Sequence, residues 1–166
     1  MTQLRILIKI KKFKEITEQV PKHVNELYDA GSTKGAFILF PNKRIDGKYT
    51  INQARGINTL INDRFDLTLE CIRRYYKAEK SPLYETFLRY NCFFNLFETF
   101  EGYVNFFLLN DSLDNKGNIR FYLPFEEFKK DHNLMMSVNI LFIKKERTMN
   151  FIEARNKRIK NKMESK

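Results

Sequence analysis

The chain has 166 residues, 43% apolar and 14% aromatic, with sixteen Phe, no Trp and a formal net charge of +10. That length suits one domain and that apolar content a packed core, which together exclude a disordered chain. No apolar run is long enough to span a bilayer, and Cys71 and Cys92, with no C-x-x-C spacing, exclude a disulfide scaffold, so a reducing cytoplasm is expected.

From the N-terminus, Leu4, Ile6, Ile8 and Ile10 alternate with Arg5, Leu7, Lys9 and Lys11 in the period of a strand. The same run continued to Phe13, Ile16 and Val20 fits a helix, and it lacks the cleavage site of a secretory signal. Pro21 opens a short helix through Tyr28, and Gly31 is placed to stop it. Gly35 to Phe40, ended by Pro41, reads as a buried strand. Thr50 can cap a helix over Ile51 to Arg55 that Gly56 ends. Phe65, Leu69, Ile72 and Tyr76 recur at helical spacing and predict an amphipathic helix from Asp63 to Ala78.

Ser81 as N-cap and Pro82 at the first helical position predict another helix, with Leu83, Phe87 and Leu88 facing inward. The Phe-rich stretch Cys92 to Leu109 must be largely buried, as two helical pieces parted near Gly102. Asp114 to Asn118 is a turn, and Ile119, Phe121 and Leu123 then alternate as a strand ended by Pro124. From Met135 on, Val138, Phe142, Met149, Ile152, Ile159 and Met163 predict a helix with a basic opposite face. The expected fold is therefore α+β, a helix-dominated single domain with a small β-sheet. Within it residues 1–34 form a variable basic segment, 35–158 the core and 159–166 a basic tail.

Motifs for nucleotide cradles, nucleophile elbows and zinc proteases are absent, and His23 and His132 stand in no metal or nucleophile context. No catalytic residue, metal or cofactor is assigned. The polar residues concentrate instead in Phe40-Pro41-Asn42-Lys43-Arg44, Thr50-Ile51-Asn52-Gln53-Ala54-Arg55-Gly56 and Asp63-Arg64-Phe65-Asp66-Leu67-Thr68-Leu69-Glu70-Cys71-Ile72-Arg73-Arg74. These resemble an uncharacterised bacterial family of unknown function with the motifs F-P-x-N-R, T-I-N-x-A-R-G and D-R-F-D-L-T-L-E-C-I-R-R. The resemblance runs over about residues 35 to 158 and extends to Phe151-Ile152-Glu153-Ala154-Arg155-Asn156. It implies a chain shortened at its N-terminus and brings no activity. It marks Asn42, Arg44, Asn52, Arg55, Asp63, Arg64, Asp66 and Glu70 as a group.

Two readings of that group stand. In one, Arg44, Arg55 and Arg64 fork onto phosphate or carboxylate in a polar cleft oriented by Asn42, Asn52, Asp63, Asp66 and Glu70. In the other, Asp63 caps the helix and the ion pairs simply fix a loop. The charge adds a second candidate surface: residues 144–166 carry nine Lys or Arg against three Glu. Lys144, Lys145, Arg147, Arg155, Lys157, Arg158 and Lys160 are the candidate contacts to a polyanion there.

The leading expectation is a non-enzymatic protein of the cytoplasm that binds RNA, DNA or a ribonucleoprotein and no membrane. One form of it is a phage-borne inhibitor of a nucleic-acid-guided defence system, like an anti-CRISPR protein. The alternatives are a metal-independent enzyme acting on a nucleotide or nucleic acid through the Arg/Asp/Glu cleft, and a protein-interaction partner such as a toxin-antitoxin component.

Overall fold

A computed structural model describes residues 25–61, 63–121, 128 and 138–165, with the backbone alone for 138–142. Seven helices follow one another in it: α1 (25–31), α2 (Ile51–Ile57), α3 (Phe65–Tyr76), α4 (Tyr84–Arg89), α5 (Asn91–Phe94), α6 (Phe100–Phe106) and α7 (Val138–Glu164). Three 3-10 turns, Lys34–Ala36, Asn95–Phe97 and Asn110–Ser112, join them.

Each helix has a local cause. Thr50 and Gln53 make a reciprocal capping box, each side chain bonding the other's backbone amide, at 3.2 and 3.1 Å. That cap starts α2 as its sequence predicts, but Gly56 does not end it, and the helix runs one residue further to Ile57. In α3 the buried face takes in Leu67 and Cys71 with the expected Leu69 and Ile72. Burial pushes the Cys71 thiol up to about 12, which leaves it an inert packing group.

The aromatic residues from Tyr75 to Phe107 close the core as a chain of ring contacts. Phe94 lies 4.9 Å from Tyr75 and 4.8 Å from Phe87 between centroids, and Tyr103 lies 4.7 Å from Phe107. The break in this stretch falls at Glu98 and Thr99, not near Gly102. Glu98 takes a left-handed φ of 61°, and Thr99 caps α6 by accepting from the Gly102 amide at 3.0 Å. Gly102 is needed for a different reason: a Cβ there would sit 2.1 Å from the carbonyl oxygen of Phe97. Gly102→Ala should accordingly destabilise the protein by about 1–3 kcal/mol, the usual cost of forcing atoms into a filled site. Urea unfolding of the variant at the wild-type midpoint would show that the turn has room.

The expected sheet is not there. Among the described residues no strand forms, and the β-pairing consists of one isolated antiparallel bridge between Leu113 and Ile119. The fold is all-α in this part, which corrects the α+β expectation. The predicted strand at 119–123 reduces to that bridge and the Ser112 carbonyl accepting from the Arg120 amide, and residues 122 and 123 lie outside the described set.

Gly35 to Phe40 instead begins in the 3-10 turn, leaves it through an extended Phe37 and forms no ladder, and it is not a buried strand, since Phe37 and Leu39 are exposed. The physical reason is a side-chain substitute for a neighbouring strand. Arg155 of α7 donates to the carbonyls of Gly35 and Phe37 at 2.8 and 2.7 Å, and Asn156 accepts from the Gly35 amide at 2.7 Å. The strand-like run at Leu4 to Lys11 lies outside the described residues. Among those described, no helix is long and apolar enough to cross a membrane.

Candidate functional site

The arginine and carboxylate group divides into separate braces. Arg64, the residue that enters α3, donates to both oxygens of Asp66 at 3.0 and 2.5 Å, and the two side chains are 2% and 1% exposed. Asp66 also accepts from the Leu67 amide at 3.0 Å, in the first turn where a negative charge is favoured. One turn on, Glu70 receives Arg73 at 2.8 and 2.7 Å and Arg74 at 2.7 Å. Burial pushes the Glu70 carboxyl up, but the bonds from Arg73 and Arg74 outweigh it and hold the group below its ordinary value.

Arg55 does a third job. It donates to the Asp63 carboxylate and carbonyl, each at 3.2 Å, and to the Thr68 hydroxyl at 3.3 Å. Asp63, with a left-handed φ of 54°, turns both oxygens toward that guanidinium, a backbone state that Asp tolerates better than most residues. It does not cap α3, whose N-cap is Arg64. Arg44 and Asn42 are exposed in a separate loop, pinned where Tyr90 donates to the Lys43 carbonyl at 2.8 Å. In that loop Lys43 stands where the F-P-x-N-R motif has Asn. The three arginines therefore do not converge on one open concavity.

Asn52 and Arg55 do face open space. A cleft of about 310 Å³ lies between residues 36–40, α2, the start of α3 and the middle of α7. Phe37, Phe40, Phe65 and Phe151 line it with Asn52 and Arg55. Phe65 and Phe151 stack at 5.9 Å with their planes 25° apart. Arg55 is 19% exposed there, its Nε and Nη2 are engaged, and Nη1 has no partner among the described residues. Composition alone does not point to Phe151, because the apolar spacing chosen for α7 passes through Met149 and Ile152.

The basic residues of α7 fall into unlike environments. Arg155 is buried, 6% exposed, and also donates to the Phe107 carbonyl at 2.9 Å, so it clasps three backbone oxygens in the interior. Lys145 pairs with Glu26, and Arg147 donates to the Phe121 carbonyl at 2.6 Å. Arg158 holds Asp111 through two bonds at 2.5 and 2.9 Å, and Lys160 stands 3.8 Å from Glu164. Lys144 is half-buried, while Lys157 and Lys162 are exposed without a side-chain partner among the described residues. The outer face also carries Glu146 and Glu153, so the basic excess belongs to the last two turns, from Lys157 to Lys162.

Comparison with curated proteins finds no match, and comparison with solved structures finds none. One family model does match, and it takes in residues 1–34, which the motifs had left outside the resemblance. Matched over residues 1–159, the chain belongs to the family described as a family of unknown function, DUF6994.

Proposed function

We propose that the protein binds nucleic acid, free or within a ribonucleoprotein, without turning it over, and does so in the cytoplasm. The observation that carries this reading is the run Lys157, Arg158, Lys160 and Lys162 on exposed turns at the end of a long helix, where Asp111 pairs with Arg158, while Lys157 and Lys162 stand without a side-chain partner among the described residues. Cations at a helix C-terminus also complement the helix dipole, so their presence there costs the fold nothing. Each phosphate they neutralise releases condensed counterions, which drives binding at low salt.

Binding is preferred here to the enzymatic alternative. Asp66 and Glu70 are engaged in holding arginines, and Glu70, held below its ordinary value by Arg73 and Arg74, would be a weak general base. Nothing in the geometry favours a defence-inhibitor or toxin-antitoxin role over plain binding.

Changing Lys157, Arg158, Lys160 and Lys162 together to Gln tests it. The plot of log affinity against log salt for an oligonucleotide should flatten by about one unit for each phosphate that is no longer neutralised. Stability to thermal unfolding should fall by no more than the part-exposed pair of Arg158 and Asp111 contributes, about 1 kcal/mol, because the other side chains are exposed and Gln is a good helix former. An unchanged slope in the folded variant would leave the basic end as a solubility device.

A further inference from the structure

We infer that the cleft beside Arg55 seats one unstacked base of a single strand, so that the ligand is single-stranded rather than duplex nucleic acid. This rests on the polyanion reading and narrows it. About 310 Å³ is the small end of the range for small-molecule sites, about 300–1,000 Å³. That is room for one flat residue of a polymer and not for a paired helix. The walls are rings, and stacking on aromatic faces tolerates any base because every base has a π-face.

Two polar groups supply what the rings lack. Nη1 of Arg55, held at the cleft by bonds through Nε and Nη2, offers donors to a phosphate or a base edge. Asn52, exposed on the second residue of α2, carries an amide that can both donate and accept.

The cleft is also in line with Arg158 and Lys162. Thr148, Phe151, Arg155, Arg158 and Lys162 share one stripe of α7 at helical spacing; Arg155 is turned into the interior and Arg158 is held by Asp111, so the stripe that lines the cleft ends on an exposed Arg158 and Lys162. Lys162 lies about 15 Å beyond Ile152 along the axis, at 1.5 Å per residue, while Lys157 falls on the opposite side of the helix. A strand with one base in the cleft can run its phosphates along those turns. A duplex keeps its bases stacked inside and could use only the cations.

The test is fluorescence anisotropy with a labelled single-stranded 12-mer and with the same oligonucleotide annealed into a duplex. Wild type should bind the single strand about tenfold more tightly than the duplex, the size of one good stacking interaction. Asn52→Ala, at an exposed position where Ala favours the helix, should weaken single-strand binding several-fold and leave the duplex unchanged. Arg55→Gln should weaken it about tenfold or more, with circular dichroism checking the fold because Arg55 also braces Asp63. Equal affinity for the two ligands, with Asn52→Ala binding like wild type, would overturn the base-seating inference while salt-sensitive binding kept the polyanion reading. Failure of both oligonucleotides to bind at low salt would overturn the two together.

Discussion

Arg155→Met should cost the fold on the order of 4 kcal/mol, because three carbonyls lose a charged donor and the interior has no replacement for it. Hydrogen bonds from a charged group are worth about 1.5–3 kcal/mol each and do not simply add. Against a total stability of about 5–15 kcal/mol for a domain, the loss is a large fraction, and the melting temperature should fall by about 10 °C. Met keeps most of the side-chain volume, so the effect isolates the bonds and not a cavity. Arg155→Lys should recover only part, since an ammonium cannot span oxygens on Gly35, Phe37 and Phe107 as a planar fork does. A variant that melts like wild type but binds nucleic acid poorly would return Arg155 to the surface set.

The second large effect is expected at Arg64 and Asp66. Replacing either partner alone leaves the other's charge buried, and breaking such a pair costs about 3–5 kcal/mol. Arg64→Met and Asp66→Asn should each lower the unfolding free energy from urea titration by that measure, while Arg64→Met with Asp66→Leu should recover much of the loss. The recovery is the informative part, because the attraction of a buried pair mostly offsets its own desolvation. Single variants as stable as wild type would contradict the assignment of this pair as a buried brace at the entry to α3.

These two expectations also show where reading from the sequence stops. Helix α3 and the Thr50 cap are local: apolar residues at helical spacing and a Thr three residues before a Gln act through neighbours in the chain. The run Ala36-Phe37-Ile38-Leu39-Phe40 is local too, but its pattern reports only an extended backbone, not what satisfies it. A strand partner and the Arg155 guanidinium give the same sequence signature there, and the guanidinium is about 120 residues away in the chain.

The basic tail has the same ambiguity with a different remedy. Arg155 and Lys157 count equally as charge, yet Arg155 falls on the stripe of Phe151 and Ile152 while Lys157 falls opposite. Helical phase separates the interior arginine from the exposed lysine, and charge counting does not. For Arg55 and Asn52 the residue types were visible, but the aromatic walls come from separate segments of the chain, which only the fold brings together.

The most direct measurement of where the ligand lies is a photo-crosslink map, using a single-stranded oligonucleotide with a photoreactive pyrimidine and identifying the crosslinked peptides by mass spectrometry. Binding through the cleft and the end of α7 predicts crosslinks at Phe37 or Phe65 and within residues 157 to 162, lost from the cleft in Asn52→Ala. Crosslinks confined to other surfaces, with none at the cleft or the last turns of α7, would contradict it.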